Sequence, residues 1–220
     1  MLSIGFVFVS VIFLLWMRDI IRESTFQGNH TKKVQNGLKV GFICFLISEW
    51  MLFFSFFWAY FHMALSPAVE IGCIWPPKGI NPPTPWGIPL FNTAILIGSG
   101  SFVNTCHHAI RARLGNTAII TLSITVGLGV LFTLLQLFEY INMHFTIADS
   151  VYGSCFFMLT GLHGLHVIVG TIFLFIQLIR LRAYHFTNTH HLGFLFASWY
   201  WHFVDVIWIL VWFIVYWWGT

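Results

Sequence analysis

The sequence predicts an all-α integral membrane protein, a bundle of six transmembrane helices. Three observations predict it. Of 220 residues, 58% are hydrophobic and only 8% charged, where a soluble domain carries about 25% charged residues. Such a chain cannot cover its own surface with polar groups, so its solvent is lipid. Six apolar stretches approach or exceed the roughly 20 residues that cross a hydrocarbon core of about 30 Å. Finally, the few basic residues fall on alternate loops. These features exclude a cytosolic enzyme, a secreted disulfide scaffold and a disordered tail. The formal net charge of +3 is too small to indicate nucleic-acid binding.

The first span, residues 1–17, is short but almost purely apolar. It lacks a basic leading region and a small-residue cleavage site before Arg18, so it reads as a retained helix rather than a signal peptide. The second span covers 38–65, the third about 90–108 and the fourth about 117–140. The fifth covers 152–179 and the sixth about 194–218. None shows the period-2 alternation of a barrel strand. Residues 1–37 form the first helix with a basic loop, and 38–220 a five-helix bundle, all within one membrane domain. Between the second and third spans lie Trp75, Pro76, Pro77, Pro82, Pro83, Pro85, Trp86 and Pro89. That proline density forbids a helix and predicts a stiff cap. In the sixth span Trp199 and Trp201 precede Trp217 and Trp218 by roughly 25 Å at helical rise, the spacing of two interfacial belts. No internal repeat is present, which removes symmetry as an argument for an inverted-repeat transporter.

Orientation follows from charge. Arg18, Arg22, Lys32, Lys33, Lys39, Arg111, Arg113, Arg180 and Arg182 occupy loops on one side, leaving only Lys78 opposite. The positive-inside rule turns the basic loops toward the cytoplasm or the mitochondrial matrix. The four cysteines (Cys44, Cys73, Cys106, Cys155) form neither a zinc spacing nor a disulfide framework and read as small packing residues.

Ionisable residues inside the spans need a reason. Glu49 lies ten residues past Lys39, about 15 Å along the helix, within ISEWMLFFSFFWAYFH. A charged carboxylate there costs at least a few kcal/mol. It is a candidate proton-carrying group, or else a neutral acid bonded to a neighbouring helix. His202 and Asp205 in WYWHFVD share a helix face, as do His163 and His166 in GLHGLHVIVG. Each couple reads chiefly as a structural polar pair. The glycines around His163 and His166 favour close helix packing over a metal site. Arg22, His30 and Arg180 lie at the basic interface, where they either set topology or hold anionic headgroups.

Several long strings carry a resemblance. MRDIIREST with FQGNHT, ISEWMLFFSFFWAYFH, IWPPKGINPPTPWGIPLFNTAIL and HHAIRA are four of them. DSVYGSCFFMLTGLHGLHVIVGTIFL and WYWHFVDVIWILVWFIVYWWG complete the set. Together they resemble the subunit III family of the haem–copper cytochrome c oxidases over essentially the whole chain. The resemblance implies a non-catalytic subunit that binds catalytic subunit I, with haem and copper held by partner subunits and no metal or redox centre of its own. It implies that Glu49 is the family's carbodiimide-reactive carboxyl, linked to proton uptake. It also implies a lipid-filled cleft proposed as a route for O₂, and places Arg22, His30 and Arg180 at headgroup-binding positions. The six spans correspond to the family's second to seventh helices. The resemblance implies that another polypeptide supplies the first helix or that it has been lost. Met17 and Asn29 stand where the family more often has Trp and His. The bias toward Phe (25 residues) suits AT-rich coding, and with no targeting presequence favours a mitochondrially encoded inner-membrane protein over a bacterial one.

Two other functions set terms for the structure. A proton-coupled carrier using Glu49 requires a broken helix or polar pathway at the midplane. A bis-histidine cytochrome requires deep histidines facing one another at matched depth.

Overall fold

The computed structural model describes residues 2–219; Met1, where the first predicted span begins, lies outside them. Six α-helices follow in order: α1 (Leu2–Thr25), α2 (Lys32–Leu65), α3 (Ile88–Arg111), α4 (Gly115–Ile141), α5 (Val151–Arg182) and α6 (Leu192–Val211). No strand occurs among the described residues. Five of the helices are long and apolar enough to cross a membrane. The sixth, α3, has the length at 24 residues but carries Asn92, Ser99, Ser101, Asn104 and Thr105, which lower its apolarity.

The helices run past the predicted spans because hydropathy marks the lipid-facing core and not the helix ends. α1 continues eight residues beyond 17, through Arg18, Asp19, Arg22 and Glu23, to Thr25. α2 starts at Lys32 and not 38. Its 34 residues rise about 51 Å, well beyond the roughly 30 Å core. The sixth span is not one regular helix. After Val211 the backbone widens into a π-helix, Trp212–Trp218, so the tryptophan spacing expected from uniform helical rise does not apply to its last turns.

The chain divides into two compact units, residues 1–44 and 45–220. In the first, nearly every apolar side chain of α1 is exposed, Phe6 at 73% and Phe8 at 65% among them. In the second, α3 packs on α4, α4 on α5, α5 on α6, and α6 closes back on α3. Tryptophans of α6 form the centre of this ring. Trp201 Nε1–H donates to Ser99 Oγ at 2.8 Å, and Trp208 Nε1–H to Thr93 Oγ1 at 3.0 Å. Trp212 Nε1–H reaches the Pro85 carbonyl at 3.1 Å and ties the proline-rich loop to the end of α6. A buried indole N–H usually finds such a partner. Two glycines make room for Trp201: a Cβ on Gly129 would lie 2.9 Å from its ring, and one on Gly170 3.0 Å.

Candidate functional site

Glu49 on α2 meets His166 on α5, with Oε2 2.7 Å from Nε2. Sequence spacing couples His166 with His163, yet the tertiary fold pairs it with the acid. The other imidazole nitrogen fixes the chemistry. His166 Nδ1 lies 2.8 Å from the Leu162 carbonyl, which can only accept, so Nδ1 carries a hydrogen. Two states remain. Either Glu49 is a neutral acid donating O–H to Nε2, or it is a carboxylate accepting N–H from imidazolium. In both, the pair holds one mobile proton and is neutral overall, which is how an ionisable couple persists in a low-dielectric setting. Phe53 and Tyr200 enclose the imidazole, with ring centroids at 4.9 and 6.2 Å. Glu49 keeps 21% of its side-chain surface exposed against 9% for His166, so the acid is the accessible end.

His163 turns elsewhere. Its Nε2–H donates to the Val204 carbonyl at 3.2 Å, and its ring lies 4.9 Å from that of Trp208. Nδ1 is buried without a partner among the described residues. The deep histidines therefore do not converge. Nor do His202 and Asp205 bond each other, although they share a face of α6. The His202 Nε2–H donates to Asn104 Oδ1 on α3 at 3.1 Å. Asp205 presses against Gly100, where an added Cβ would lie 2.6 Å from its Oδ2, while its Oδ1 is buried with no partner among the described residues. No group of three or more His, Cys, Asp or Glu converges among the described residues.

The three interface cations differ in setting. Arg22 lies in the last turn of α1 with 58% of its side chain exposed, 4.0 Å from Asp19. His30 precedes α2, and its carbonyl accepts from Gln35 Nε2 at 2.8 Å. Arg180, in the second unit, is 9% exposed. Its guanidinium sits 4.7 Å over the Phe186 ring and donates to Gln177 Oε1 at 3.1 Å.

One buried acid escapes the sequence reading. Glu139, two residues before the end of α4, is 6% exposed and accepts from Tyr216 Oη at 3.4 Å. Tyr216 in turn accepts from Gln136 Nε2 at 3.3 Å, and Gln136 Oε1 accepts from Asn92 Nδ2 at 3.3 Å. The available signal was Gln136 three residues before Glu139 in the apolar stretch LLQLFEYI. Proximity to the helix end makes such an acid look interfacial.

Comparison with known proteins agrees with the architecture. The family model described as cytochrome c oxidase subunit III matches residues 1–220. The chain is 54% identical over 220 residues to cytochrome c oxidase subunit 3 of Paracentrotus lividus, covering all of this chain and 84% of the relative. Against the Arabidopsis thaliana protein of that name the identity is 54% over 219 residues, covering 100% of this chain and 83% of the relative. With the Struthio camelus protein it is 52% over 220 residues, again the whole chain and 84% of the relative. An all-helical, membrane-crossing chain matched from end to end at this identity belongs to the cytochrome c oxidase subunit III family.

Proposed function

We propose that this chain, a non-catalytic subunit of the proton-translocating cytochrome c oxidase, supports proton uptake through the Glu49–His166 pair while steadying catalytic subunit I and holding phospholipids. The observation that carries the proton reading is the 2.7 Å contact itself. A lone intramembrane acid can only be neutral or costly. Paired with an imidazole whose Nδ1 hydrogen is anchored on a carbonyl, it can pass a proton between oxygen and nitrogen without changing net charge. Arg22, His30 and Arg180 are the candidate headgroup ligands, with the lipid cleft as a reservoir or route for O₂. Haem and copper reside in the partner subunits. The expected setting is the mitochondrial inner membrane with the basic loops in the matrix.

The carrier and cytochrome readings have less support. α2 is unbroken through Glu49, and His163 and His166 point to different partners. Glu49→Gln tests the proposal in the assembled oxidase. The amide keeps the shape of the neutral acid but cannot release a proton. Assembly should be preserved, and proton uptake during turnover should slow. Loss of assembly, or unchanged uptake, overturns the proton role.

A further inference from the structure

At the end of the bundle away from the basic loops, three buried polar groups meet without satisfying one another. Trp75, from the proline-rich loop, lies between two phenols. Its ring is 5.4 Å from that of Tyr60, five residues before the end of α2, and 5.3 Å from that of Tyr152, in the first turn of α5. Both tyrosines are 0% exposed. Trp75 Nε1, Tyr60 Oη and Tyr152 Oη are all buried, and none has a hydrogen-bond partner among the described residues. Orphaned polar groups are uncommon even singly, because the lost hydration is then repaid by no bond. Three of them, on side chains in ring contact, point to one shared ligand.

The lining states what fits. An indole N–H only donates, whereas each phenol donates and accepts. The ligand must therefore accept from Trp75 and can bond either phenol in either sense. None of the three groups carries a charge, so an ion would find no counter-charge among them. Space allows only a small molecule. Phe145 and Phe156 flank Tyr152, with ring centroids at 5.6 and 6.1 Å, and Gly219 lies so close to the Tyr60 hydroxyl that a Cβ there would overlap it. Water meets each condition. It accepts two bonds and donates two, and a buried water typically makes about three bonds to groups that otherwise lack them. The site also borders a loop and not the lipid midplane, so water is at hand.

We propose that one buried water is bound here, accepting from Trp75 Nε1–H and bonding both Tyr60 Oη and Tyr152 Oη, and that it latches the proline-rich loop to α2 and α5. It is a second tie on that loop, ten residues before the Pro85 carbonyl held by Trp212. The inference is independent of the Glu49 reading. A high-resolution density map of the assembled oxidase tests it. The expected result is an ordered water within about 3.2 Å of all three atoms. A direct bond between any two of the three groups without such a water, a different ligand, or no density overturns it. Tyr60→Phe and Tyr152→Phe provide a second readout, since each keeps its ring and removes one bond to the water. Either should speed amide hydrogen exchange in residues 71–80 of the assembled oxidase about fivefold. The double variant should gain far less than the product of the two effects, because both act through one water. Unchanged exchange in the single variants, or effects that simply multiply, overturns the latch.

Discussion

His166 shows how a single residue decides the chemistry of its neighbour. With Nδ1 committed to Leu162, its Nε2 is the one atom able to exchange a proton with Glu49. Replacing it with phenylalanine keeps an aromatic ring beside Phe53 and Tyr200 but removes that atom. The carboxylate form of Glu49 then has no imidazolium beside it. The oxidase should still assemble, with slower proton uptake and a stronger protonated-carboxyl band in the infrared. An unchanged band in His166→Phe would show that the imidazole does not control the acid. Arg22 and Arg180 make a second comparison at this scale. Arg22 is exposed, whereas Arg180 spends donors on Gln177 and packs on Phe186. Arg22→Ala should lower retained anionic phospholipid, measured by mass spectrometry, without loss of thermal stability. Arg180→Ala should lower both.

At the scale of elements, α6 is held by indole hydrogen bonds and by two missing side chains. Ser99→Ala leaves the Trp201 N–H buried without its acceptor, at a cost of about 1 kcal/mol, toward the low end because hydrogen bonds between membrane helices contribute little on average. Gly129→Val is the harsher change. Its Cβ would fall 2.5 Å from Thr171 Oγ1 and 2.9 Å from the Trp201 ring, on a helix that cannot move without disturbing two neighbours. Overpacking of this kind costs about 1–3 kcal/mol. The ordering Gly129→Val below Ser99→Ala below the parent, in thermal unfolding of the purified oxidase, checks both contacts. The six helices themselves were legible in the sequence, five as long apolar runs and α3 as a more polar one. Their ends were not, because the extra turns of α1 and α2 carry charge and lie where hydropathy falls. The π-helix at Trp212–Trp218 was also hidden: nothing in WFIVYWW distinguishes a wider turn from a regular one.

For the whole molecule, polar chemistry concentrates at two depths of the bundle that different residues build. One is the Glu49–His166 pair, joining α2 to α5. The other is the Glu139 network, joining α3, α4 and the π-helix beside a cleft walled by loops. A subunit without a redox centre acts through its contacts with other oxidase subunits, and the proposed proton and lipid roles draw on such surfaces. Variants at Glu49 should change proton uptake with subunit composition intact.

The sequence by itself determined the solvent, the helix count, the family and the residues that need a reason for lying in lipid. Composition and periodicity are sums over many residues, so they survive without coordinates. Pairing depended on tertiary structure. Residues three apart share a helix face, which couples His202 with Asp205 and His163 with His166 on paper. The packed bundle instead sends His202 to Asn104, His163 to the Val204 carbonyl and His166 to Glu49. The partners within each observed contact lie 41 to 117 residues apart along the chain, and only the crossing of helices brings them within reach. Glu139 makes the same point in reverse. Near a helix end it looks like a solvated acid, and only the closing of the proline loop and the π-helix around it makes it a buried one.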